Sequence, residues 1–211
     1  MVSHASPDRP AGPADPRDRS NVASTAGTPR IPPGGLRELG LPNWAFSRLS
    51  GLATGTTPPN VFTTLGRHRG LFRGWLMFAG RLMPGGRIGR RETEMLIIRV
   101  AHLRGSRYEF EHHVRLGRRC GVTAADVDRL VAGPDADGWS PREQALLRAA
   151  DALVAERRLD DERWAEVRRH LDEREAIELL MLVGHYDMLA MVIETLRLDL
   201  DEPRGRRGRL S

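Results

Sequence analysis

The sequence predicts an all-α protein, a helical bundle of 211 residues with tails at both ends. Three observations lead there. No segment alternates apolar and polar residues as a half-buried strand does. Within residues 87–104, Glu94, Ile97, Ile98 and Ala101 fall at i, i+3, i+4 and i+7, the period of one helical face. Ser140-Pro141-Arg142-Glu143 places an N-cap serine, a proline at the first helical position and an acid three residues after the cap, which together specify a helix start.

Along the chain, residues 1–34 hold seven of the fourteen prolines among Ser, Ala, Gly and Asp, with no apolar period, and read as a disordered tail. From Leu36 the apolar residues return. Pro42, Pro58-Pro59 and Pro84-Gly85-Gly86 divide residues 36–86 into short helical pieces, the second with Asn60 as its expected cap. The helix within 87–104 stops at Gly105. Ser106 caps the next, with Phe110, Val114 and Gly117 as its packing face and Gly121 as its end.

Thr123 to Asp126 reads as a further start, and residues 133–138 as a turn-rich connection. The helix opened at Ser140 is expected to bury Ala145, Leu146, Ala149 and Leu153; a shorter one around Trp164 and Val167 follows Asp160 and Asp161. Asp172 and Glu175 box the last helix, which from Ile177 to Leu196 is apolar on nearly every side. That composition predicts burial all round, in the core or between subunits. With 40% apolar residues the chain can bury one good core, so a single helical domain is expected over 35–202, followed by a basic tail over 203–211.

The net charge of +5 does not signal a nucleic-acid partner, because the excess sits in the tails. Residues 1–34 carry four Arg against three Asp, residues 203–211 carry four Arg and no acid, and residues 35–202 balance at 25 against 25. The longest apolar runs, Met95–Ala101 and Leu179–Val183, fall short of the ~20 residues that span a bilayer. Residues 1–16 contain no apolar stretch of the secretory kind. A cytoplasmic protein without a membrane partner is therefore expected. The single cysteine, Cys120, allows no disulfide and no thiolate metal cluster within one chain, and reads as a buried small residue.

Candidate chemistry gathers around the helix that begins near Ser106. Ser106, Glu109 and His113 lie at i, i+3 and i+7 along one edge, with His113 between apolar face and solvent. A carboxylate one turn from an imidazole can orient the ring and raise its pKa; the structural alternative is a hydrogen bond at the core edge. Glu94 stands in an apolar stripe, with Arg90 and Arg91 one turn before it. It either pairs with one of them or, if unpaired, stays protonated near neutrality.

Taken together, Arg91-Glu92-Thr93-Glu94, the following Leu96-Ile97-Ile98-Arg99-Val100-Ala101 and Gly105-Ser106-Arg107-Tyr108-Glu109-Phe110-Glu111-His112-His113 resemble the carboxymuconolactone decarboxylase family, which includes the alkyl hydroperoxidase D branch. Redox members of that family carry a Glu, eleven residues, a Cys, two residues, a second Cys, three residues and a His. The same spacing here reads Glu94, Ser106, Glu109 and His113. Gly138-Trp139-Ser140-Pro141 and Leu182-Val183-Gly184-His185-Tyr186 extend the resemblance across residues 36–202.

Both positions of the redox pair lack a thiol, so thiol peroxidase chemistry, which needs a thiolate and a resolving cysteine, is disfavoured. The resemblance instead implies the non-redox branch: a carboxy-lyase of aromatic catabolism that removes CO2 from a small carboxylated lactone, or a related carboxylic acid, without cofactor or metal. In that reading His113 is the proton donor to the dienolate, Glu109 holds its tautomer and Glu94 relays a proton. Arg99 or Arg107 grips the substrate carboxylate. Tyr108 donates a hydrogen bond to the enolate oxygen, and Ser106 lines the substrate site. The resemblance also implies a homo-oligomer, trimer or hexamer; His185 and Tyr186 on the last helix either reach a neighbour's site or, as the simpler reading, belong to a buried helix interior.

Two rival readings stand beside it. One is a metal site built from His112 or His113 with Glu109 and with His102 or His185, although no spaced ligand set of the zincin kind exists. The other is a noncatalytic oligomer in which Glu94 and His113 survive as structural hydrogen bonds. An ion pair between Glu94 and Arg91, with no pocket beside His113, would favour the second.

Overall fold

The computed structural model describes residues 27–204 and is all-helical. Ten helices follow in chain order: α1 Leu36–Leu39, α2 Leu41–Thr54, α3 Asn60–Leu65, α4 Arg69–Leu82, α5 Arg90–Leu103, α6 Arg107–Arg118, α7 Ala124–Ala132, α8 Pro141–Glu156, α9 Asp161–His170 and α10 Glu173–Leu196. The expected starts of the later helices are present. Thr123, Ser140 and Asp172 each accept from the backbone N–H three residues on, and Asp126, Glu143 and Glu175 reach back to close the box. Asp160 caps α9 in the same way, through the N–H of Arg163.

The first third of the domain is divided into short helical pieces as expected, α1 to α4, with breaks beside Pro42, Pro58-Pro59 and Pro84 and one more between α3 and α4. Pro42 lies in the first turn of the 14-residue α2, where a proline's missing N–H costs nothing, so α2 opens there just after α1 ends. Asn60 is no cap. It is the first residue of α3, and its Nδ2 donates to the carbonyls of Asp199 at 3.0 Å and Leu200 at 3.3 Å, pinning the segment after α10 against α3. The tail expected over 1–34 lies outside the described residues up to residue 26. From 27 onward the chain is anchored, with Arg30 N–H donating to the Leu196 carbonyl and Gly34 N–H to that of Thr63. At the other end, Arg204 N–H donates to Gly55 O, and the basic stretch beyond it lies outside the described residues.

The molecule is built around α5. Every residue from Thr93 to Ala101 is buried, so this helix has no solvent face over more than two turns. One side, through Leu96, Ile97 and Val100, joins the main core with Leu146, Ala149 and Ala150 of α8 and Leu179, Leu182, Val183 and Ile193 of α10. The other, through Met95 and Ile98, joins Val122, Leu130 and Leu147 in a second cluster under α6 and α7. Each such Leu or Ile contributes about 1.5–3 kcal/mol by leaving water. Gly117 near the end of α6 lets the chain after the helix fold back on it: a Cβ there would come within 3.1 Å of Val122, and within 3.4 Å of Ile98 on α5. Gly105, at φ 65°, makes the turn that folds α6 back along α5.

The all-round burial expected of the last helix is not what the single chain shows. Leu179, Leu182, Val183, Leu189 and Ile193 are buried, whereas Ile177, Met181, Met188 and Met191 form an exposed apolar stripe on the opposite side. By length and composition α10, 24 residues long, is also the one described helix apolar enough to cross a membrane, with an 18-residue window of mean hydropathy 1.7. Counting uninterrupted runs missed this, because Glu178, His185 and Asp187 break a stretch whose average is nevertheless apolar.

Candidate active site

Glu94 and His113 meet across the α5 and α6 interface. The Nδ1 of His113 lies 2.8 Å from Oε2 of Glu94, and Oε1 of the same carboxylate lies 2.8 Å from Arg90 Nη2, one turn earlier on α5. Glu94 is fully buried and His113 is 5% exposed. This arrangement corrects the expected pairing of His113 with Glu109. The i, i+4 spacing brings Glu109 alongside, but α5 packs against α6 and presents the Glu94 carboxylate to the ring first. Arg91 takes no part: it pairs with Asp126 at 3.1 Å and with Glu143, tying α5 to α7 and α8.

Burial pushes the His113 pKa below its ordinary value, against the opposing pull of Glu94, so the imidazole is kept neutral. The Nδ1 hydrogen on Glu94 then leaves Nε2 as the accepting nitrogen. Glu109 responds to burial in the other direction. Neither of its oxygens has a hydrogen-bond partner among the described residues. Burial pushes its pKa up to about 8; the nearby Ser106 hydroxyl, outside hydrogen-bond geometry, opposes this only in part. One helix therefore presents a neutral acid and a neutral base, four residues apart.

Both line a cavity of about 300 Å³ between α6, α10 and the α3 and α4 pair. Its walls are mainly apolar and aromatic, with Phe46, Phe62, Trp75 and Met83 on one side and Tyr108, His112, His185 and Tyr186 on the other. The ring of Tyr186 stands edge to face with His113 at 5.1 Å, and burial raises the Tyr186 pKa. A larger and shallower apolar depression of about 750 Å³, between α4 and α10, shares Trp75 with this cavity and contains none of the sequence-predicted residues.

The remaining candidates divide. Tyr108 lines the cavity, but its hydroxyl is engaged: it donates to Asp201 Oδ1 at 2.8 Å and accepts from the Val61 N–H at 3.3 Å. Ser106 is fully buried at the start of α6, with its hydroxyl unpartnered, and is not part of the cavity wall. Neither proposed arginine reaches the cavity. Arg99 is buried on the far side, where it holds Asp151 with two bonds of 2.7 Å and donates to the Leu130 carbonyl at the end of α7. Arg107 is exposed and paired with Glu111 on its own helix. Both corrections have one cause: a guanidinium finds the nearest carboxylate or helix end, and a sequence does not show which neighbour that is.

Cys120, half-buried rather than buried, sits just past the end of α6. Among the described residues no three of His, Cys, Asp and Glu converge as metal ligands. His102 lies on α5 outside the cavity wall, and His185 lies within this chain's own cavity. Sequence reasoning missed Trp75 on the wall and Asp201 behind it. Phe72, Trp75 and Phe78 recur at i, i+3 and i+6 on α4, an aromatic pattern that marks a packing face. Asp201, which fixes Tyr108, had no signal, since its partner is 93 residues away.

Fold and site together define an all-helical protein of the alkyl hydroperoxidase D-like type in which the redox cysteine positions are occupied by Ser106 and Glu109. The chain belongs to the carboxymuconolactone decarboxylase family, whose pattern matches residues 69–152. It is 30% identical over 99 residues to uncharacterized protein YdfG of Bacillus subtilis (strain 168), covering 46% of this chain and 67% of that protein. The fold is similar to the alkylhydroperoxidase AhpD core of an uncharacterized peroxidase-related protein from Ralstonia eutropha, with a TM-score of 0.73 at 20% identity over 86% of this chain and 95% of that one. It is also similar to a variant of the debrominase Bmp8 in complex with 2,3,4-tribromopyrrole, with a TM-score of 0.70 at 19% identity over 83% and 92% of the two chains.

Proposed function

We propose that this protein is a cofactor-free acid/base catalyst acting on a small unsaturated ring compound, of which a carboxylated lactone is the best-fitting class. The observation that carries the reading is the buried Glu94 and His113 hydrogen bond on the wall of a ring-sized cavity that also includes Glu109. Two titratable groups whose surroundings drive them to opposite protonation behaviour form the usual pair for proton transfer. Glu109 takes the donor's role that the sequence reading gave to His113, because a carboxyl held near 8 carries its proton at neutral pH and a buried neutral imidazole does not carry a second one.

In a decarboxylation the bond between ring carbon and carboxylate breaks, CO2 leaves, and the electron pair passes into the conjugated lactone as a dienolate. Glu109 gives its proton to the dienolate carbon. His113, oriented by Glu94, relays a proton from water back to the Glu109 carboxylate, so the cycle consumes one proton per turnover. Among the described residues no Arg lines the cavity. A substrate carboxylate placed among Phe62, Trp75 and Met83 loses hydration without gaining a cation, which favours its departure as uncharged CO2. The debrominase relative, with a planar ring ligand, supports the substrate's size and shape. The exposed stripe of Ile177, Met181, Met188 and Met191 supports the homo-oligomeric reading.

A second reading, a noncatalytic member, is favoured by one observation: Glu94 is also ion-paired, to Arg90. The deciding experiment follows the ultraviolet absorbance of 4-carboxymuconolactone and related lactone acids with the wild type, Glu109→Gln and His113→Ala, beside peroxide consumption with a thiol reductant. Turnover lost in both variants supports acid/base catalysis. Inactivity of a well-folded wild type favours the noncatalytic member, and robust peroxide reduction overturns the reading of the missing thiols.

A further inference from the structure

We infer that His185 is a ligand-contacting residue of this cavity, its imidazole placed on the α10 wall to hydrogen-bond a ring or carbonyl oxygen of the bound molecule. The inference rests on the acid/base reading above and adds the contact that holds the ring.

His185 lies at the middle of α10, buried to 5% exposure on the cavity side. Three aromatic rings fix its plane. Trp75 stacks on it at 6.0 Å with 24° between planes, Phe78 meets it edge-on at 5.3 Å, and Tyr186 meets it edge-on at 5.0 Å. These neighbours satisfy the faces of the imidazole and none of its polar atoms. Nδ1 is shielded and unpartnered, and the ring makes no hydrogen bond among the described residues. A buried imidazole in this state carries a desolvation penalty that a phenylalanine at the same place would not.

The other polar groups of the wall are engaged. His113 is bound to Glu94, Tyr108 to Asp201, and His112 Nδ1 lies 3.0 Å from Arg115. Beside the free Nε2 of His113, His185 and Glu109 remain, on α10 and α6, as the wall's groups that make no side-chain hydrogen bond among the described residues. Burial holds the His185 pKa down at about 4, so the ring is uncharged at neutral pH and can donate to an oxygen without an opposing charge. A molecule contacted from one wall by a neutral imidazole and from the other by a neutral carboxyl is a compact ring carrying an oxygen acceptor, which is the chemistry of an unsaturated lactone.

The test uses the full chain with His185→Phe, which keeps an aromatic ring among Trp75, Phe78 and Tyr186, and His185→Gln, which restores a side-chain N–H. Each is titrated with 2(5H)-furanone, an unsaturated lactone without a carboxyl group, while the histidine ring nitrogens are followed by NMR; the spectrum of His185→Phe assigns the His185 signals. The expected result is a shift of those signals on saturation, with furanone affinity about tenfold weaker in His185→Phe and largely recovered in His185→Gln. Unmoved His185 signals at saturation, equal affinity in wild type and His185→Phe, or no furanone binding by wild type would each overturn the inference. Failure of the acid/base reading looks different: furanone binds and shifts His185, yet the wild type turns over no lactone acid.

Discussion

The Nδ1 of His113 and the Oε2 of Glu94 lie 2.8 Å apart, joining two buried side chains that belong to different helices. The bond sets which nitrogen of the ring is free for chemistry, and Arg90 holds the carboxylate from behind. Replacing Glu94 with Gln keeps the volume and removes the charge. Lactone turnover is expected to fall about 10²–10⁴-fold, the range for a disrupted acid/base group. Glu94 favours the charged imidazole, so its loss lowers the already depressed His113 pKa further, which a pH titration of the ring by NMR reads directly.

Glu109 makes a separable prediction about stability. Its folded pKa of about 8 lies above the ordinary 4.5, so the folded state keeps a proton that the unfolded state releases. Its contribution is fully present below pH 4.5 and is lost as pH rises toward 8. Glu109→Gln removes this titration. Denaturant unfolding at pH 8.5, set against pH 5, is expected to show the variant gaining stability on the wild type by a few kcal/mol, on the order set by such a shift.

His185 acts on the acid side. Its folded pKa of about 4 lies below the ordinary 6.5, so the stability tied to the neutral ring is present above 6.5 and is lost as pH falls toward 4. His185→Phe is expected to flatten that part of the profile, narrowing the gap in melting temperature between pH 7 and pH 4.5 relative to the wild type. An unchanged gap would place the acid sensitivity elsewhere.

Arg99 and Arg107, the two arginines expected at the substrate, separate cleanly. Arg99→Ala leaves Asp151 without its partner and the end of α7 without a donor, and is expected to cost about 3–5 kcal/mol in unfolding free energy. Arg107→Ala breaks an exposed pair and is expected to cost no more than about 1 kcal/mol. Neither is expected to change the lactone KM of the folded fraction, which steady-state kinetics on both variants checks.

Much of this was legible in the sequence because it was local. The boxes at Thr123, Ser140 and Asp172 depend on residues three apart, and each forms as read. The grouping of Glu94, Glu109 and His113 at one place followed from helical spacing and family resemblance. The partners within the group did not. Whether Glu94 or Glu109 meets His113 is decided by how α6 packs against α5, which spacing along the chain does not show. The same limit hid the wall formed by Trp75 and Phe62 and the long-range hold of Asp201 on Tyr108, since nothing near position 108 announces a carboxylate arriving from beyond α10.

The complete burial of α5 from Thr93 to Ala101 gives the helix behind His113 and the α2 and α4 wall of the cavity different freedom to vary. A substitution on α5 disturbs two cores at once, so the carboxylate at Glu94 is held in a part of the chain where few changes are tolerated. The α2 and α4 wall is less constrained: Phe46 on α2 and Leu76 on α4 line the cavity and also border solvent, and there a larger or smaller side chain meets water as well as protein. Changes in the shape of this cavity are therefore expected to be tolerated best on α2 and α4, and least on the helix that carries Glu94.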